Sequence, residues 1–169
     1  MLRSALAEAV VQVIELVDIS FNIYRCKTPV ASSTIGKHVR HVIDHFHAYQ
    51  RGIESGCIDY NVRSRCAALE AQPLLATAQL EQFNLWLSGS PRDSFELSLV
   101  TEVSTLDRLS VNLQSNSHRE LVYLLNHTYH HIALATTLAR TLDVSPPDRL
   151  GVAPATASYL RDCSVLCAP

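Results

Sequence analysis

No stretch of the chain gathers lysines and arginines, and 14 basic against 16 acidic residues leave a formal net charge of -2. That balance argues against a nucleic-acid surface, which needs a basic patch. Five cysteines (Cys26, Cys57, Cys66, Cys163, Cys167) are an odd number and form no CxxC pair. They read as reduced thiols of a cytoplasmic protein. Cys163 and Cys167 are four apart, a spacing open to metal or redox pairing, but packing is the expected role so near the C-terminus. No uncharged apolar run reaches transmembrane length, and Glu8 and Glu15 interrupt the first apolar segment. Neither a cleavable signal nor a membrane contact is therefore expected. Internal repeats and low-complexity segments are also missing. What is present is 47% hydrophobic residues over 169 positions. This suits one globular domain, 1–169, with one sizeable core.

Hydrophobic periodicity divides the chain into four helices. In residues 2 to about 25, Leu6, Val10, Val13, Ile14, Val17 and Phe21 repeat at threes and fours as a buried stripe. Lys27-Thr28-Pro29 ends that helix. Ser32, Ser33 or Thr34 can cap a second helix, about 33 to 54, with Ile35, Val39, Val42, Ile43 and Phe46 inward. Arg40 and Asp44 are spaced to pair on its surface. After the polar connection Asp59-Tyr60-Asn61-Val62-Arg63-Ser64-Arg65, a third helix is expected over about 64 to 87. Its core face is Leu69, Leu74, Leu75, Ala78, Leu80, Phe83 and Leu87, and Pro73 kinks or delays it. Ser88-Gly89-Ser90-Pro91 breaks it. The period then falls to two: Phe95, Leu97, Leu99 and Val103, then Leu109, Val111 and Leu113, flank a short polar turn as in a β-hairpin. A fourth helix is expected over 118 to 143, opened by a capping box in which Ser117 and Glu120 satisfy backbone donors. A short terminal helix follows, reaching Cys163.

The chemistry-bearing pattern is Asn126-His127-Thr128-Tyr129-His130-His131. His127 and His131 are four apart, so both imidazoles lie on one helix face, at the spacing two ligands of one divalent ion need. Thr128 stands where the HExxH zinc proteases carry glutamate, which removes the built-in general base. A catalytic metal needs a third protein ligand. The second helix offers His38, His41 and His45 on one stripe, with His47 beside them. A lone histidine on such a helix is more often a half-buried residue satisfied by neighbours. Two clusters at helical spacing shift the balance toward a metal.

Two segments resemble the DinB/YfiT superfamily of metal-binding four-helix bundles. Ser33-Thr34-Ile35-Gly36-Lys37-His38-Val39-Arg40-His41 is similar to its second-helix segment, whose last histidine is a ligand. Asn126-His127-Thr128-Tyr129-His130-His131 is similar to its fourth-helix segment, whose first and last histidines complete the set. The connection 59–65 and Gly151-Val152-Ala153-Pro154-Ala155-Thr156 resemble one uncharacterised branch of that superfamily. Many members follow the paired histidines with Arg-Gly, where Ile132-Ala133 stand here. The resemblance implies an all-α four-helix bundle, to which the β-hairpin expected between helices three and four is an addition. It implies metal ligands His41, His127 and His131 holding nickel or zinc, with iron as an alternative. The activity it implies is that of a hydrolase or a low-molecular-weight thiol transferase, acting on a small-molecule substrate, a thiol among the options, and working as a homodimer.

From the residues themselves, Tyr60, Arg63 and Arg65 are candidates for substrate contacts, because two arginines around a tyrosine suit an anionic group. Asp44 and His45 are candidates for positions behind the ligands, and His45 or His38 are alternative third ligands. Glu15, Asp18 or Asn22 on the first helix could also back a histidine. The competing expectation is a non-catalytic binding or structural bundle whose histidines line a core or pocket.

Overall fold

The computed structural model describes residues 1–28, 31–89 and 93–166, and in 164–166 the backbone only. Pro29, Ser90, Pro91 and Cys167, which the sequence singles out, lie outside the described residues. The elements in order are α1 (Leu2–Ile19), α2 (Ile35–Ser55), β1 (Cys57–Asp59), α3 (Ala67–Ala71), α4 (Pro73–Leu87), β2 (Glu96–Glu102), β3 (Ser110–Asn116), α5 (Ser117–Arg140) and α6 (Pro154–Leu166). A 3-10 turn, Phe21–Ile23, follows α1.

The chain is therefore mixed α/β, which corrects the expectation of an all-α bundle with a hairpin between helices three and four. Among the described residues, six helices accompany a three-stranded sheet of order β1-β2-β3, and the hairpin follows the fourth helix. β2 and β3 are antiparallel, with Leu99 opposite Leu113. β1 adds to β2 in parallel, with Ile58 opposite Leu99. A parallel pair needs a crossover connection, and α3 and α4 supply it. Three-residue β1 is too short to show a period of two, which is why a hairpin alone was expected. The third expected helix is two helices. Pro73 lacks a backbone N–H and pushes its predecessor out of the α region, and Gln72 is accordingly extended at φ -122°, ψ 95°.

α1, α2, α4 and α5 pack around one core. Leu6, Val10, Val13 and Val17 of α1, Val39, Val42, Ile43 and Phe46 of α2, Leu80 and Phe83 of α4, and Leu124 and Ile132 of α5 are all buried. Phe46 and Phe83 stack at 4.1 Å between centroids, locking α2 to α4. Three residues expected inside are exposed: Phe21, beyond the end of α1, and Leu74 and Ala78, whose place on α4 is taken by Ala76. On the sheet, Leu97 and Leu99 of β2 are buried, whereas Leu113 of β3, opposite Leu99, and Leu109 just before β3 are exposed.

Two features bring the connection 59–65 onto α2. Gly56 closes the helix at φ 80°, a left-handed conformation that favours glycine. Gly52, one turn earlier, lets β1 lie against the helix: a Cβ there would meet the Ile58 Cα at 2.8 Å. The loop is then pinned to the sheet, since the Asn61 Oδ1 accepts from the Glu102 amide at 2.8 Å. It is also pinned to α2, since the Arg51 guanidinium donates to the Val62 carbonyl at 2.9 Å.

Candidate metal site at the α2–α5 seam

α2 is capped by Thr34, whose hydroxyl accepts from the Lys37 amide, and it runs without interruption to Ser55. Its apolar face fixes the rotation of the helix, and the stripe His38, His41 and His45 consequently meets α5. There His127 and His131 lie one turn apart, as their spacing requires. His41 and His45 sit 4.3 Å apart between ring centroids, and His45 and His127 also 4.3 Å. His131 lies 4.5 Å from both His41 and His127.

The group whose ligand nitrogens converge among the described residues is His41, His45 and His127, all within 4.8 Å of one another. This trio could hold a metal ion. The sequence-expected trio differs at one place. His131 lies beside the cluster, but its Nδ1 meets the Nδ1 of His38 at 2.9 Å. His45, expected behind the ligands, is one of the converging three. Its Nδ1 donates to the His41 carbonyl at 2.9 Å, so its lone pair is on Nε2. A second nitrogen donating to a backbone carbonyl is how metal-binding histidines are held in their tautomer. His41 and His127 approach through their Nε2 atoms at 3.0 Å. Two nitrogens each about 2.0–2.1 Å from one ion would lie roughly 2.9 to 3.4 Å apart, depending on geometry.

The remaining expected residues divide. Tyr60 is buried, donates to the Glu120 carboxylate at 3.0 Å, and stacks on His45 with centroids 5.2 Å apart. It supports the cluster rather than facing a substrate. Arg63 donates to His41 Nδ1 at 3.1 Å. Arg65 is exposed, with φ 49°, and stays in the loop. Asp44 is 2% exposed and turned toward Arg40 at 3.8 Å, so this pair is not on the surface as expected. Arg40 in turn pairs with Glu70. Glu15 pairs with Arg149 at 2.6 Å, away from the histidines.

Glu120 is a support that sequence reasoning missed. It is fully buried and accepts from Tyr60, from Ser115 at 2.5 Å and from Arg119 at 2.8 Å. The expected capping box is replaced. Asn116 caps α5 by accepting from the Arg119 amide, and the Ser117 hydroxyl accepts from the Phe95 amide at 3.3 Å. A strand running straight into a helix moves the cap back one residue and frees the glutamate for the core.

Burial first, and then neighbouring imidazoles, hold His41 and His127 down at about 3 and His131 at about 2; Arg63 adds to the effect on His41 and His127. Burial also lowers His38 and His45. Neutral imidazoles are the form that binds metals. In the unfolded chain these groups titrate near 6.5, so between about 6.5 and 3 the unfolded state binds more protons and stability falls as pH falls. The melting temperature of metal-free protein should therefore be level above pH 7 and drop by roughly 5–10 °C between pH 7 and pH 5. Circular dichroism melts across that range test this, and a flat profile would contradict the buried, neutral cluster.

No helix of the described residues is long and apolar enough to cross a membrane. Cys26, Cys57, Cys66 and Cys163 are free thiols. No family model, curated protein or solved structure matches the chain.

Proposed function

We propose that the protein is a metal-dependent enzyme, a hydrolase or a low-molecular-weight thiol transferase. In this proposal the seam between α2 and α5 holds one divalent transition-metal ion. The observation that carries it is the convergence of three neutral imidazoles, His41, His45 and His127, from two packed helices. An all-nitrogen donor set suits zinc, nickel or iron(II) and not magnesium or calcium, which take oxygen. The resemblance of the two histidine segments to those of DinB/YfiT-like proteins supports the same reading. It favours His131 as third ligand, whereas the tautomer of His45 favours His45.

Bound there, such an ion lowers the pKa of a coordinated water or thiol and supplies a nucleophile near neutral pH. The protein's own contributions are positional. His45 is fixed by the His41 carbonyl and by the face of Tyr60, and Tyr60 is fixed by Glu120. Tyr123 stacks on His127 at 5.4 Å with planes 16° apart, restricting that ring. Beside it opens a groove of about 370 Å³ lined by Arg119, Val122, Tyr123, Asn126 and His127, where a small molecule can lie against the ligand edge.

A non-catalytic role has one observation in its favour: the histidines already satisfy one another through the His41–His127 and His38–His131 contacts. Elemental analysis separates the two. Protein purified without tag or chelator should carry near one equivalent of a transition metal, and His127→Ala should carry almost none. Failure to take up zinc, nickel or ferrous iron on reconstitution would leave the non-catalytic role standing.

A further inference from the structure

The tautomers of the three converging histidines are not equivalent. His45 donates from Nδ1, so Nε2 is free to bind. An arginine has only donors, so His41 Nδ1 must accept from Arg63 and its proton must sit on Nε2. That proton is then the donor in the His41–His127 contact, and His127 Nε2 is the acceptor. Two of the three rings thus carry their lone pair toward the centre, and His41 alone carries a proton there. For His41 to become a ligand through Nε2, its proton must move to Nδ1, the position that Arg63 occupies. A guanidinium and an N–H both donate, so they cannot share that contact.

Arg63 itself is poorly provided for. Its Nε is buried and makes no hydrogen bond. No carboxylate pairs with it among the described residues, unlike Arg119, which Glu120 holds. The loop that carries it is fixed at Asn61 and Val62, so a change of partner for Arg63 would be made by its side chain rather than by the loop. Its charge bears on His45, His127 and Tyr123, and the last two line the groove.

We propose that Arg63 is a two-position residue: it latches His41 in the metal-free protein and, once released by metal loading, holds an oxyanion group of the substrate in the groove beside His127. This rests on the metal site proposed above and names the substrate class, a small molecule bearing a carboxylate, sulfate or phosphate group. The physical reason is charge. A released guanidinium beside a divalent ion is repelled unless an anion lies between them, and a planar fork suits an oxyanion bidentately. Metal and anion should then bind with positive, reciprocal coupling.

The test is zinc affinity of wild type, Arg63→Ala and Arg63→Gln, by competition with a chromophoric chelator. It is run in sodium chloride and in sodium sulfate of equal ionic strength. Removing the latch should tighten zinc binding roughly 10-fold in Arg63→Ala, with Arg63→Gln between it and wild type. Sulfate should tighten zinc binding to wild type about 5-fold and leave Arg63→Ala unchanged, within the usual range of such coupling. Nitrogen-15 spectra of wild type need no variant: the His41 proton should be on Nε2 without metal and on Nδ1 with zinc. Zinc binding to wild type with no tightening in Arg63→Ala, no excess effect of sulfate, or an unmoved His41 proton would overturn the role of Arg63 alone. Absence of zinc binding to wild type would overturn the site and this role together.

Discussion

Replacing His45 with alanine should weaken zinc binding about 100-fold or more, while replacing His131 should weaken it less than about 10-fold. Structural zinc sites release on the order of 10–16 kcal/mol over four ligands, so one lost ligand costs roughly 3 kcal/mol, or about two decades. His45 has the features of a ligand. It is 4% exposed, its Nδ1 proton is spent on the His41 carbonyl, and its ring is held against Tyr60. His131 has its Nδ1 against His38, and substituting it removes a neighbour of the site rather than a converging nitrogen. His131 still packs 4.5 Å from both His41 and His127 between ring centroids, so a modest effect on metal is expected. Isothermal titration of both variants, with helical content checked by circular dichroism, gives the answer. The reverse order, with His131 essential and His45 dispensable, would mean that the DinB/YfiT-like ligand set is the working one. It would also mean that the seam rearranges on loading.

How much of this was legible in the chain depends on which physical signal each residue carries. The rotation of α2 and α5 follows from strong three-four periodicity, so the stripes His38, His41, His45 and His127, His131 could be read from spacing, whereas the choice of His41 within its stripe came from the resemblance. The choice between His45 and His131 could not be read from spacing. It turns on which ring nitrogen already has a partner, and those partners are a backbone carbonyl and a histidine on another helix. The sheet was hidden for a different reason. β1 has three residues and pairs in parallel with a strand about 40 positions later, so neither local period nor a tight turn announces it. Glu120 was misread because its spacing from Ser117 fits a capping box. Only the continuity of β3 into α5 places the cap on Asn116 and turns the glutamate inward.

That buried glutamate carries the second large effect. Glu120→Ala should destabilise the fold by about 3–5 kcal/mol, the range for removing one partner of a buried charged network. Three donors lose their acceptor at once: the Tyr60 hydroxyl, the Ser115 hydroxyl and the Arg119 guanidinium. Arg119 is 58% exposed and can turn to water, so its share is small. Tyr60 is 6% exposed and cannot, so its hydroxyl is left unsatisfied at a cost of about 1–3 kcal/mol, and the vacated volume adds a cavity term. Tyr60→Phe in the wild-type background should cost less, about 1–2 kcal/mol, because Ser115 and Arg119 still serve the carboxylate. In the Glu120→Ala background Tyr60→Phe should cost little or even stabilise, since it removes a stranded hydroxyl. Urea denaturation of the four proteins of this cycle measures the coupling directly. A coupling below about 0.5 kcal/mol would show that Glu120 does not hold Tyr60. If it does, the same cycle read in zinc affinity should fall in parallel, because Tyr60 is the surface on which His45 rests.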